Sequence, residues 1–449
     1  MNYIEKYRHH YYTILRLGMP LLLGQLGLIV TGYADTIMVG NYSTEALASA
    51  SFVNNALVFV IMLGMGFSYG LTPLVGALFA KGDTKSVGQV VYNGVIANFF
   101  YTLLWCLPML LLYFCLHLIG LPENLLPTIR PYFMLIFASV IPLGIINGLR
   151  QFTDAINDTK VSMYILLSGN IMNIILNYML IYGKWGAPEM GLNGAGVATL
   201  ISRVFMLVAY IIFLIASPRY GEYRKAILES TISWQQIRHI SVTSLPISLQ
   251  IGMETSIFTI SSVFAGWLGE NTMAAWQVIN TMAQIGFMIY YSIGAAASIK
   301  MANYYGVHNY TGVKQIAHAS YVLTLTSAVL ACAIFIIFGR QLAGIFTCDA
   351  AVVALVSAHM LHLTLYQIGD ATQIAYANAL RGITRVKPIM KYAFVAYFVV
   401  GVPAMYLLCF PLGFDMAGIY YSYFIALLGA GILFSRSFYS RIAALISTK

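Results

Sequence analysis

Charge is scarce in this chain. Only 9% of its 449 residues are Asp, Glu, Lys or Arg, against roughly 25% in a soluble domain. So few charges cannot cover a water-facing surface, which excludes an ordinary soluble fold. Acidic residues are the rarest, 15 in all. Cysteine is thin as well. Cys106, Cys115, Cys332, Cys348 and Cys409 are scattered, odd in number and without CxxC spacing, which argues against a disulfide framework or a metal cluster. No GxSxG, Walker, HExxH or Gly-rich nucleotide motif occurs, so nothing points to an enzyme or to ATP hydrolysis. The basic residues are spread over short segments and form no patch for a nucleic acid.

What is abundant is apolar sequence, 60% of the chain. Runs long enough to cross ~30 Å of hydrocarbon recur throughout. Twelve are expected, at 14–38, 52–79, 89–119, 130–155, 162–184, 193–216, 242–268, 274–299, 317–339, 352–380, 388–411 and 416–438. The first resembles a signal peptide in its basic flank. Its length, its Asp35 and the eleven runs that follow mark it instead as an uncleaved span. Alternate span ends gather the basic residues, from Lys6, Arg8 and Arg16 to Arg436, Arg441 and Lys449, whereas the opposite ends hold only Arg130, Lys184 and Arg340. By the positive-inside rule both termini are cytoplasmic. A multi-pass cell-membrane protein is the expectation, an inner-membrane one in a bacterium, all-α and bathed in lipid. Arg203 is the one basic residue inside a span, and the sequence offers it no partner.

The chain also repeats itself. At a shift of 226 residues Pro20 falls on Pro246, Gly40 on Gly266, Ala48 on Ala274 and Asn54 on Asn280. Further on, GLRQFT (148–153) matches ALRGIT (379–384), with Arg150 on Arg381. GAGVATLI (194–201) matches MAGIYYSY (416–423). Each half has six spans, an even number, so the halves enter the membrane in the same direction and are related by an axis along its normal. The expected organisation is a six-helix bundle at 1–216, a cytoplasmic linker at 217–241 and a second bundle at 242–449. Repeats of this kind place their sites at or beside the interface of the halves, with alternating access by rocking.

Three carboxylates fall inside apolar spans: Asp35, Glu254 and Asp370. Each costs about 2.5–3.5 kcal/mol near the bilayer centre, so the default reading of such a residue is functional. Asp35 lies in the outer half of span 1 and is a candidate protonatable group. In span 5 Asn170, Asn173 and Asn177 stand at i, i+3 and i+7, on one helix face. They are either helix–helix glue or the wall of a polar site facing Asp35, with Gln277 of span 8 a further candidate for cargo contact. In the second half Gln250 and Glu254 share a face of span 7, and Tyr366 and Asp370 share a face of span 10, with Gln373 adjacent. Two carboxylates with neutral oxygens suit a hard monovalent cation or a shared proton. His359 and His362, at i and i+3, lack a matched third ligand and read as packing. The many Met and aromatic residues are mostly core and lipid contacts, though such faces also suit varied apolar cations.

The segments RLGMPLLLGQ, YADTIMVG, GLTPLVGALFAKGD, EMGLNGAGVAT, NIILNYMLIYG and NALRGITRVKP, set in two six-span halves, resemble the multidrug and toxic compound extrusion (MATE) transporters over nearly the full length. The resemblance implies a V-shaped pair of six-helix bundles that exports organic cations against re-entering Na⁺ or H⁺. The NorM-like branch carries an acid in span 1, a Glu in span 7 and an Asp in span 10, and Asp35, Glu254 and Asp370 match these positions. The DinF-like branch lacks the second-half pair. Gln151 departs from the LRGxxDT form at a cytoplasmic helix end. The implied partners are small cationic or amphiphilic molecules and the bilayer. No cofactor beyond the coupling ion and no nucleic acid are implied, and the chain is expected to act as a monomer. A lipid-linked sugar flippase of the same superfamily is the competing reading. It calls for basic residues in the cavity, where the candidates here are acidic.

Overall fold

The computed structural model describes residues 3–118, 122, 125–347 and 349–447, with side chains from residue 7. Cys348, Lys449, the Lys6 side chain and the expected end of span 3 at 119 lie outside the described residues. Those residues form helices and connecting turns, with no strand among them. The first six long helices are α1 (Tyr3–Tyr42), α2 (Thr44–Ala80), α3 (Thr84–Phe114), α4 (Leu126–Ala155), α5 (Thr159–Tyr182) and α6 (Leu192–Ala216). A short helix, Gly221–Leu228, follows. The second six are α7 (Trp234–Trp267), α8 (Glu270–Gly306), α9 (Tyr310–Phe346), α10 (Ala350–Ala358 and Met360–Gly382), α11 (Lys387–Cys409) and α12 (Asp415–Ser447). Ten of these are long and apolar enough to cross a membrane, and eleven if bent α10 is one span. The twelfth, α7, is long enough at 34 residues but carries Gln250, Glu254 and a run of hydroxyl residues where its neighbours carry hydrocarbon. The twelve helices occupy the twelve expected spans.

The chain divides into two compact units, Leu23–Ser248 and Met1–Leu22 with Leu249–Lys449, called here the N- and C-terminal units. The dividing points follow Leu22 and Ser248, 226 residues apart, which is the period of the sequence repeat. Each cuts a first helix, α1 or α7, two residues after an internal proline, Pro20 or Pro246. Proline withholds an amide from the i−4 carbonyl, so a helix bends most readily there. These limits differ from 1–216 and 242–449 in two ways. Residues 3–22 pack with the C-terminal unit, where His10 Nε2 meets Gln315 Oε1 at 3.2 Å. The expected linker is built into the N-terminal unit. There Ala226 packs so closely on Gly88 that a Cβ on that glycine would stand 2.5 Å from it. Asn93 bonds Thr231 O and Ser233 N, and Arg219 and Tyr220 both bind Asp158 Oδ2 (2.7 and 3.0 Å).

The repeat extends to local backbone. Asp83 caps α3 by accepting from Ser86 N, and Asn309 caps α9 by accepting from Gly312 N. The residues before them, Gly82 and His308, both have positive φ. At the ends of α4 and α10, Asn157 and Thr384 are left-handed and close matching turns, Asp158 N to Thr153 O and Arg385 N to Leu380 O. By these turns the helix ends match at 227, whereas the Leu-Arg pairs match at 231. Arg150 therefore stands about one helical turn further from its helix end than Arg381 does, and Arg381 occupies the place of Asp154. The unexpected Gln151 accepts from Thr72 Oγ1 at 2.6 Å and ties α4 to α2. Helix α10 breaks by 51° at His359, whose Nδ1 lies 2.8 Å from Leu355 O, while His362 Nε2 lies 3.2 Å from the Tyr421 hydroxyl.

Candidate functional sites

Each unit holds a polar cluster inside an apolar helix bundle. In the N-terminal unit α1 carries Asp35, half-buried, and α5 presents its asparagine face inward. Asn177, fully buried, donates to Asp35 Oδ1 and also to Asn173 Oδ1 (3.2 Å). Asn173 donates to Thr199 Oγ1 of α6 (3.4 Å), and Thr199 donates to Ala195 O (2.9 Å). The expected asparagine face thus does meet Asp35, directly through Asn177, with Asn173 one hydrogen bond behind it. Asn170 instead packs where a Cβ on Gly27 would stand 2.9 Å from its Nδ2, and that amide has no hydrogen-bond partner among the described residues. Glycine at 27 is what lets α1 and α5 close together here. Gln277 is exposed on α8, in the other unit.

Arg203 has a place in this cluster that the sequence did not disclose. It lies one turn beyond Thr199 on α6, half-buried, and donates through Nη1 to Ser139 Oγ of α4 at 2.8 Å. Its charge acts on Asp35 and on the Tyr132 hydroxyl. The signal was present: Thr199 and Arg203 are four apart, on one helix face.

In the C-terminal unit α7 carries Gln250 and Glu254 at i and i+4, and Gln250 Nε2 donates to Glu254 Oε2 at 2.6 Å. Behind Gln250 stands Arg381, 5% exposed, whose Nη2 donates to Gln250 Oε1 at 2.5 Å. The amide orientation is forced by this chemistry. A guanidinium only donates and a carboxylate only accepts, so the carbonyl must face Arg381 and the NH₂ must face Glu254. Asp370 on α10 is 1% exposed, its Oδ2 has no hydrogen-bond partner among the described residues, and its charge acts on Glu254, Tyr366 and Tyr290. Tyr366 packs edge-on to Phe258 and tilted against Tyr423, at 6.3 and 5.2 Å between ring centroids. Gln373 donates to the Tyr397 hydroxyl at 2.9 Å. Gln250, Glu254, Tyr366 and Asp370 are therefore neighbours, as expected. Arg381, Tyr290 and Tyr397 join them from positions that sequence spacing did not single out.

The two clusters are not repeat equivalents. At a shift of 226 Asp35 corresponds to Ser261 and Glu254 to Leu28. Relative to the helix prolines, the C-terminal acid stands seven residues, about two turns or ~10 Å, nearer the proline. The scaffold repeats, but the acids stand at different places in its two copies.

Two units of membrane-crossing helices, each with buried or half-buried acid and guanidinium groups set among amides and hydroxyls, make the arrangement of a polytopic transporter. The sequence profile of the MatE family matches residues 20–179 and again 246–407, one copy per repeat. The chain belongs to the MatE family. It is 27% identical over 405 residues to the multidrug resistance protein NorM of Vibrio cholerae, covering 90% of this chain and 89% of that one. It is 29% identical over 394 residues to a probable NorM of Geobacillus kaustophilus, covering 87% and 86%. Among solved structures, the eukaryotic MATE transporter AtDTX14 superposes with a TM-score of 0.86 at 20% identity over 98% of both chains. A MATE crystallised in the straight conformation superposes with 0.89 at 18% identity over 98% and 97%. The fold is that of the MATE transporters, as the sequence resemblance implied.

Proposed function

We propose that this protein exports cationic and amphiphilic small molecules across the cell membrane in exchange for entering Na⁺ or H⁺. Alternating access of the two units carries the cargo, and both termini are cytoplasmic. The relatives named as multidrug resistance proteins support the cargo class. The observation that carries the coupling is Asp370. A carboxylate oxygen with 1% residue exposure and no donor among the described residues, placed beside a second carboxylate, calls for a positive charge or a proton. Glu254 supplies the second carboxylate, Tyr366 and Gln250 the neutral groups around it. Two carboxylates with neutral oxygens favour Na⁺ over H⁺. Asp35, which accepts from an Asn177 amide that Asn173 also holds, serves cargo or proton binding in the N-terminal unit. One charge returning through 100 mV releases about 2.3 kcal/mol, roughly a 50-fold concentration ratio.

Reconstituted vesicles test this directly. Export of a fluorescent monocation is followed under an imposed Na⁺ gradient, an imposed proton gradient, or neither. The expected result is gradient-driven export that Glu254→Gln and Asp370→Asn each abolish. Export insensitive to both gradients, or intact in both variants, would overturn the reading.

A further inference from the structure

The C-terminal unit holds polar groups that the carboxylate cluster itself does not use, and they begin where α10 breaks. The break of 51° at His359 falls seven residues inside the expected span 352–380, about 10 Å along a helix. Interrupted helices at such depth survive only where protein or water covers them. From the break one stripe of α10 carries His362, Tyr366 and Asp370, at i, i+4 and i+8. Along the helix axis the histidine stands about 12 Å from the acid. Helix α12 faces this stripe with a second one. Between ring centroids His359 lies 6.5 Å from Tyr420, Tyr420 6.1 Å from Tyr423, and Tyr423 5.2 Å from Tyr366. Ring contacts thus run from the helix break to the residue one turn before Asp370.

Packing accounts for these rings but not for their polar atoms. Among the described residues His362 Nδ1, the Tyr420 and Tyr423 hydroxyls and Asp370 Oδ2 are buried without a hydrogen-bond partner. Ser261 and Trp276 stand beside the Tyr423 hydroxyl, outside hydrogen-bond geometry. Unpaired buried polar atoms are costly and rare in native folds. Four in one row, ending on a carboxylate, fit a polar occupant that moves along them: water, or a cation with its water. We propose that the row His362–Tyr420–Tyr423–Tyr366 is the access route by which the coupling cation reaches Asp370 from the outer end of the C-terminal unit. This rests on the export reading and topology above and adds the way in. His362 stands at the mouth of the row, its Nε2 held 3.2 Å from the Tyr421 hydroxyl. When Nε2 carries the proton, Nδ1 is an acceptor for what passes. Neutral imidazole and phenol groups hold a cation weakly and release it, which a route requires. The carboxylates at its end bind it.

A route and a site differ in one measurable way: narrowing a route slows binding and release alike and leaves equilibrium affinity unchanged. Tyr420→Phe removes one hydroxyl and keeps the ring. His362→Leu replaces the imidazole with an apolar side chain. Calorimetry on the purified proteins gives the Na⁺ affinity, or, where protons drive export, the pH midpoint of cargo binding takes its place. Reconstituted vesicles give the turnover of gradient-driven export of a fluorescent monocation. Each variant is expected to match wild-type affinity within about twofold and to export about tenfold more slowly, the order of loss for one polar contact. His362→Gln, which keeps polar atoms, should recover part of the turnover. If the row is packing only, Tyr420→Phe loses an unpaired hydroxyl, keeps or raises the unfolding temperature and exports at the wild-type rate; that result overturns the route. Affinity that falls in step with turnover makes these residues part of the site and overturns it as well. Should His362→Leu lose its fold, Tyr420→Phe decides alone. Wild-type export beside unslowed variants refutes the route and spares the export reading. Wild-type protein that exports under neither gradient overturns that reading, and the route with it.

Discussion

Gln250 is the side chain on which the C-terminal cluster can be tested most sharply. It is fully buried and spans two charged groups, accepting from Arg381 at 2.5 Å and donating to Glu254 at 2.6 Å. Gln250→Met keeps length and flexibility and deletes both polar atoms. A hydrogen bond to a charged group is worth about 1.5–3 kcal/mol, so one such loss gives the lower expectation and two give a ceiling that relaxation will reduce. The predicted cost is therefore about 2–4 kcal/mol, read as a lower thermal-unfolding midpoint of the purified protein. Cation affinity should fall about tenfold or more, because Glu254 loses the donor that fixes its carboxylate.

The second half of the test is a double-mutant cycle. Removing both partners of a buried polar contact is far less costly than removing one. Adding Arg381→Met to Gln250→Met should thus recover part of the lost stability, though not all, since Arg381 also reaches Asn378 Oδ1 at 3.5 Å. The cycle should show a coupling of about 0.5–3 kcal/mol between neighbours that share a contact. Calorimetry with Na⁺ and thermal unfolding on all four proteins supply the numbers. If the double variant shows the plain sum of the single losses, Arg381 does not act through Gln250. If Gln250→Met unfolds at the wild-type temperature with wild-type cation affinity, the relay contributes nothing.

Three further outcomes follow from the same geometry. Asp35→Asn should abolish export of cationic substrates yet leave expression and membrane insertion intact, since the amide is isosteric and cheaper to bury; vesicle transport with quantified protein checks both, and wild-type export would make Asp35 structural. Gly194 stands where a Cβ would meet Leu180 O at 2.5 Å, backbone that cannot swing away, so Gly194→Ala should force α5 and α6 apart and cost about 1–3 kcal/mol, seen as a lowered unfolding temperature. Asp83, which caps α3 outside the membrane, is held below the usual carboxylate range by its hydrogen bonds to Ser86. Asp83→Ala should cost about 1 kcal/mol with transport unchanged, and a transport defect without a stability defect would contradict its assignment as a cap.

Helical periodicity states which residues share a face but not which helix that face meets, and the sites divide along that line. Gln250 with Glu254, Tyr366 with Asp370, and the inward turn of the asparagine face are contacts within one helix or follow from its period, and all were legible. Arg203 beside Asp35, Arg381 behind Gln250 and Asn170 against Gly27 depend on which helices touch. In a bilayer that choice is made by small residues that allow close approach, here Gly27 toward α5 and Gly194 at Leu180 O, rather than by any pattern of charge. The shift that drifts from 226 to 231 along the repeat was readable as a number, but its meaning was not. The structure resolves it into matched helix ends with the Leu-Arg pair displaced by about one turn. That displacement gives Arg150 an acid four residues on, Asp154, at 3.7 Å, and sends Arg381, whose fourth successor is Arg385, back to Gln250 instead. One turn of slippage inside a duplicated scaffold is thus enough to put a structural ion pair at one helix end and a charged arm of the carboxylate cluster at the other.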